Sequence, residues 1–171
     1  HRDVEIDHPR LELRSQRLAL DLDPPVDDRP ILRKVSAQSD VEATIQAGED
    51  PSPVSFITQS LELSFDLDPA GEAVPSRLLA SGPARVEQPG QSLVANELDV
   101  VFVTRDGEGD EAASRGDDEQ MFNGNVAIGR IQALGDVAVE VDSELLNVKG
   151  DRLLADGQDS RAEVFGSADN P

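Results

Sequence analysis

An all-β fold is what this sequence predicts, on three observations. Apolar residues recur at spacing two, turn-forming residues follow each such run, and one short phrase is written about four times in a single register. Spacing two sends successive side chains to opposite faces of a strand, so each run reads as half-buried. Strands at regular intervals with turns between them indicate an antiparallel sandwich, jelly roll or solenoid.

In chain order, a strand is expected near Val4 to Ile6, followed by Leu11 and Leu13, then Leu18, Leu20 and Leu22. Asp23-Pro24-Pro25 should end that run. Val35-Ser36-Ala37-Gln38-Ser39-Asp40-Val41-Glu42-Ala43 is one copy of the repeated phrase. Phe56-Ile57-Thr58-Gln59-Ser60 leads into Leu61, Leu63, Phe65 and Leu67, which Asp68-Pro69-Ala70-Gly71 closes. That pair of segments parallels Leu11 to Gln16 followed by Leu18 to Pro24, so a hairpin unit looks reused. Leu78-Leu79-Ala80-Ser81-Gly82-Pro83-Ala84-Arg85-Val86 is a second copy, and Glu87-Gln88-Pro89-Gly90-Gln91 reads as a Pro-Gly hairpin turn. The strand Leu98 to Val103 precedes an acidic insertion, residues 104–120, from Thr104 to Gln120. Gly124-Asn125-Val126-Ala127-Ile128 carries half of the phrase, and Ile131-Gln132-Ala133-Leu134-Gly135-Asp136-Val137-Ala138-Val139 is the fullest copy. Its glycine, or the serine that replaces it, is expected on the apolar face where a bulge needs room.

The 171 residues suit a single domain spanning 1–171, burying roughly two-thirds of its unfolded surface. Five Phe, no Trp and no Tyr leave Leu, Val, Ile and Ala to fill the core. The same shortage counts against sites that stack bases or sugars. With 35 acidic residues against 15 Lys and Arg, the formal charge of −20 argues against nucleic acid and against an anionic bilayer surface. Acidic side chains on the outer faces also discourage sheet edges from aggregating. There is no cysteine, hence no disulfide framework. No run approaches the roughly 20 apolar residues of a transmembrane helix, so no transmembrane segment is expected in the chain. A start at His1 without a charged n-region or cleavage site reads as a mature or excised segment.

Chemistry finds little material, and no catalytic residue, metal site or cofactor is expected. His1 and His8 stand alone at the N-terminus, too few for a zinc site or a nucleophile and base. Asp106, Glu108 and Asp110 have the spacing that opens a calcium loop, but Glu111 stands where that loop requires glycine. Gly107 and Gly109 are followed by no Lys-Ser or Lys-Thr pair that would mark a phosphate loop. Asp21 with Asp23, and Asp66 with Asp68, fall on one solvent face beside a turn. A hydrolase on a β-solenoid would need such carboxylates clustered in a cleft, which nothing in the spacing requires.

From Ile131 to Gly166 the order is Ile-x-Ala-x-Gly-Asp-Val, a strand through Leu145, Leu146 and Val148, then Gly150-Asp151-x-Leu153-x-Ala155-Asp156, then Val164-Phe165-Gly166. This resembles the OstA-like family of lipopolysaccharide-transport bridge proteins, whose repeats read A-x-G-N-V, a strand ending in A-D, and L-x-G. Ala80-x-Gly82 followed by Leu93-x-Ala95-x-x-Leu98 is a second match and Gly124-Asn125-Val126 a third. The resemblance is best from Leu78 onward, with Val35 to Ala43 keeping the register.

The resemblance implies an antiparallel twisted β jelly roll whose two facing sheets hold lipid acyl chains in an apolar slot. It implies a non-enzymatic role in carrying a lipopolysaccharide or other glycolipid, in the periplasm or extracytoplasmic envelope. It also implies joining to other β jelly-roll domains by edge-strand addition, through Val4 and Ile6 at one end and Val164 and Gly166 at the other. Independently, facing sheets lined by aliphatic residues leave space unless they close tightly. The residues expected inward, lining the groove, are Leu61, Leu63, Phe65, Leu98, Val100, Phe102, Val126, Ile128, Val137, Val139 and Val141. The alternative is a structural or adhesive scaffold with a closed core and no ligand. Two features depart from the family pattern: the charge, which repels lipid phosphates, and the 17-residue acidic insertion.

Overall fold

Alternating aliphatic residues give strands throughout, and each strand pairs with strands close to it in sequence. The computed structural model describes residues 3–8, 11–26, 29–45, 54–67, 73–104, 126–144, 146–157 and 161–166. Its strands are β1 (Val4–His8), β2 (Leu11–Ser15), β3 (Arg17–Val26), β4 (Arg29–Ile45), β5 (Val54–Leu67), β6 (Ala73–Gln88), β7 (Gln91–Thr104), β8 (Val126–Val141), β9 (Leu146–Asp156) and β10 (Arg161–Phe165). A short 3-10 turn, Asp142–Glu144, follows β8. All pairings are antiparallel, in the order β1-β2-β4-β5-β6-β7-β8-β9-β10, with β3 beside β4. The fold is an all-β antiparallel jelly roll made from one long sheet. Apart from Thr104, the acidic insertion and its calcium-like spacing lie outside the described residues.

A crease runs across the middle of the long strands. In β4, Ser39 and Asp40 stand against Gln59 alone; in β6, Gly82 and Pro83 against Asn96; in β8, Gly135 and Asp136 against Asp151. Each is a bulge of one extra residue, which bends the strand and increases its twist. The bends are left-handed: φ is +65° at Ser39, +53° at Asp40, +84° at Gly82, +72° at Gly135 and +50° at Asp136. Glycine suits such a conformation because it has no Cβ to collide with the following carbonyl. The repeated phrase is therefore the crease, written three times. Its glycine, expected on the apolar face, instead points outward. A Cβ at Gly82 would stand 2.7 Å from the side chain of exposed Gln59, and one at Gly135 the same distance from that of exposed Asn96.

Amide side chains brace the bends from the neighbouring strand. Gln16 Nε2 donates to Asp40 Oδ2 at 2.6 Å, and Asn96 Nδ2 to Asp136 Oδ2 at 3.2 Å. β2 and β3 form one strand interrupted at Gln16, whose N–H donates to the Ser39 carbonyl at 3.1 Å. Thus β2 plus β3 matches β5: the unit is reused, but each copy is one long strand bent at its middle and not the expected hairpin, because both halves pair with the same neighbouring strand. The run expected to end at Asp23-Pro24-Pro25 continues to Val26 with a register break. An edge strand tolerates proline because its outer N–H groups have no ladder partner to lose.

Folding along the crease makes two layers. One holds β1, β2 and residues 41–45, 54–58, 84–88, 91–95, 137–141 and 146–150. The other holds β3, residues 29–38, 60–67, 73–81, 97–104, 126–134 and 152–156, and β10. Val35, Val41, Leu78 and Val137 are 1, 0, 0 and 1 % exposed. An open single layer leaves both faces wet, so burial this complete requires the two inner faces to cover each other. Small residues let the layers meet near the bend: Ala37, Leu61, Ala80, Leu98 and Ala133 alternate along one cross-strand ladder, and on the other side of the crease Ala84 pairs with Ala95. Two hydroxyls buried there are satisfied: Ser15 Oγ donates to the Arg17 carbonyl at 3.1 Å and Thr58 Oγ1 to the Ser81 carbonyl at 3.1 Å.

Candidate functional site

Beside the β6–β7 turn the inward residues are larger and the layers stand apart. In the first layer Val86, Leu93 and Val139 lie opposite one another on β6, β7 and β8. In the second, Ile131 faces Ala155 across β8 and β9, with Leu153 two residues along. These six side chains form opposing walls of a cavity of about 250 Å³. All but Leu153 are half-buried, as expected of a cleft whose apolar walls still meet solvent. The rest of its lining is Gln88, Gln91 and Ser92, at the Pro89-Gly90 turn between β6 and β7.

That turn is held in two ways. Gln88 Nε2 donates to Gln91 Oε1 at 2.7 Å, and the Asp142 N–H donates to the Gly90 carbonyl at 2.9 Å, tying the turn to the end of β8. None of the nine described residues lining the cavity is charged. The wall can take hydrocarbon, and the rim offers neutral amide and hydroxyl groups.

A second depression, about 400 Å³, has a different lining: Glu5, Asp7, Glu12, Arg14, Glu42 and Thr44, with Ile6 and Leu13, across β1, β2 and β4. Arg14 Nε donates to Glu5 Oε1 at 2.8 Å, and that hydrogen bond and charge hold the guanidinium more firmly protonated than usual. Elsewhere Arg77 donates to both carboxylate oxygens of Asp99, at 2.9 and 2.7 Å. The hydrogen bond from Arg77 outweighs the effect of burial and lowers the Asp99 carboxyl below the ordinary carboxylate range. Among the described residues no group of three His, Asp or Glu side chains is arranged to hold a metal ion. No helix there is long and apolar enough to cross a membrane.

Of the residues expected to line a groove, Leu61, Leu63, Leu98, Val100, Phe102 and Val137 are buried in the packed core. Phe65, Ile128, Val139 and Val141 are half-buried, and Val139 is the one that lines the cavity. Val126 begins β8 opposite Thr104, and its side chain lies outside the described residues. Sequence reasoning missed Val86, Leu93, Ile131, Leu153 and Ala155. Cross-strand register is the signal that finds them, since Val139 lies opposite Leu93, and Leu93 opposite Val86.

The expected assembly residues fall on the outermost strands. Val4, 41 % exposed, and half-buried Ile6 are on β1; half-buried Val164 is on β10, and Gly166 follows it. The inner face also emerges at the β3 side, where Leu20, Leu22 and Leu67 are about half exposed. Compared with protein-family models and with curated proteins, the chain matches none.

Proposed function

We propose that this chain is a non-enzymatic lipid-binding module of the cell envelope, extracytoplasmic and of the OstA-like type, that holds acyl chain between its two layers. The observation that carries the reading is the open cavity with aliphatic residues of both layers on its walls. Each methylene moved from water into such a site contributes roughly 0.8 kcal/mol, so a segment of several carbons would outweigh the cost of holding it. The outermost strands β1 and β10 support the second half of the reading, addition of like domains edge to edge, because among the described residues no strand lies on the outer side of either.

The test is crosslinking with a photoreactive monoacylglycerol. Label is expected on peptides containing Leu93, Val139 or Leu153, to be lost in Val139→Asp and kept in Glu97→Gln on the outer face. A scaffold module with a closed core is the competing reading, favoured by the full burial of Leu61, Leu98 and Phe102. Absence of any adduct, together with no co-purified lipid by mass spectrometry, would leave the scaffold standing and remove the carrier.

A further inference from the structure

Charge and size narrow the occupant of the cavity. At about 250 Å³ it exceeds the roughly 150 Å³ of a dry apolar cavity that takes one benzene and falls below the roughly 300–1,000 Å³ of sites for drug-sized ligands, so it has room for one chain. No cation lies among the described residues of its lining. The cations on nearby strands are outside or engaged: Arg85 pairs with Glu87 at 2.5 Å, and Lys149 is exposed opposite Ala138 on the outer face. Glu87 and Glu140 stand on the outer side of the same wall strands, and Asp142 sits beside the turn. An anionic head group drawn to this rim would lose water and gain no counter-charge. The amides of Gln88 and Gln91 spend one donor and one acceptor on each other, and their remaining groups, with the Ser92 hydroxyl, suit a partner rich in hydroxyls.

We propose that the cavity beside the β6–β7 turn binds a single hydrocarbon chain carrying an uncharged, hydroxyl-bearing head group such as a sugar or glycerol, and discriminates against the same chain on an anionic head. The inference rests on the lipid reading above and adds its chemical class. Calorimetric titration with decyl maltoside, decyl phosphate and decyltrimethylammonium, each below its micelle concentration and at one ionic strength, tests it. The maltoside should bind at least tenfold tighter than the phosphate. Ala155→Phe, which fills the cavity without introducing charge, should abolish maltoside binding. Gln91→Lys, at an exposed position, should bring the phosphate within a fewfold of the maltoside. Equal binding of maltoside and phosphate, tightest binding of the ammonium compound, or an unchanged ratio in Gln91→Lys would each overturn the head-group inference while leaving the lipid site in place. If no decyl compound binds at all, the lipid reading itself falls.

Discussion

The packed middle of the sheet and its open end at the β6–β7 turn are built from the same residue types in the same alternation, and they behave differently. Leu78 is fully buried on β6, whereas Leu93, inward on β7, remains half-buried on the cavity wall. Between them lies the crease. Near it, alanines allow the layers to touch; at the β6–β7 turn end, Val86, Leu93, Val139 and Ile131 meet a gap. Burial in this molecule follows position in the sheet and not hydrophobicity, which every inward position shares: Val100 and Phe102, farther from the bend along β7 than Leu93, are buried.

The largest expected effect breaks this comparison directly. Leu78→Ala should lose about 3–4 kcal/mol of stability, from transfer and from the void left behind, while Leu93→Ala should lose about 1–2 kcal/mol. Denaturant unfolding of both variants checks it, and equal losses would mean that the open end is as tightly packed as the middle. Next comes the bend itself. Gly82→Ala combines φ of +84° with a Cβ 2.7 Å from Gln59, and should cost about 2–3 kcal/mol. Gly90→Ala, with φ of +79° but nothing within 4 Å, should cost about 1 kcal/mol. The difference between the two thermal midpoints isolates what crowding at the crease contributes.

The smallest effect belongs to the outer surface. Because the Asp99 carboxyl is lowered by Arg77, its pairing stabilises the fold above the unfolded pKa near 3.8, and that contribution is lost as pH falls through the lower folded value. Asp99→Asn should therefore flatten the acid limb of a stability profile between pH 5 and pH 2 and change little of the difference between Leu78 and Leu93. A large change in that difference would show that surface charge reaches the interior, which the exposure of Arg77 opposes.

Much of this was legible in the residues. Period two marks the strands, Pro89-Gly90 marks a hairpin, and the repeated phrase marks a recurrent structural event. What escaped was direction at the bend. Counting by twos from Ile131 and Ala133 places Gly135 inward, yet the left-handed backbone there turns it out, and Val137 resumes the inner face. The neighbouring strands carry the complementary trace, in which inward positions skip three: Ser15 to Leu18, Thr58 to Leu61, Ala95 to Leu98 and Gly150 to Leu153. That triplet gap locates the crease in sequence. The cavity is less legible, because alternation says which side chains face inward and nothing about how far two layers splay. For that reason Leu61 and Phe102 carry the same signal as Val139 and end in the core.

Every strand lies beside ones close to it along the chain, and this has a kinetic meaning. Apart from the long connection between β7 and β8, loops close over short separations, so the entropic cost of most pairings is small, and assembly can start at a hairpin and zip outward in both directions. A duplication or loss of one hairpin at either margin would lengthen or shorten the trough without requiring a new route for the polypeptide. The architecture is extensible by the copying of a single supersecondary piece.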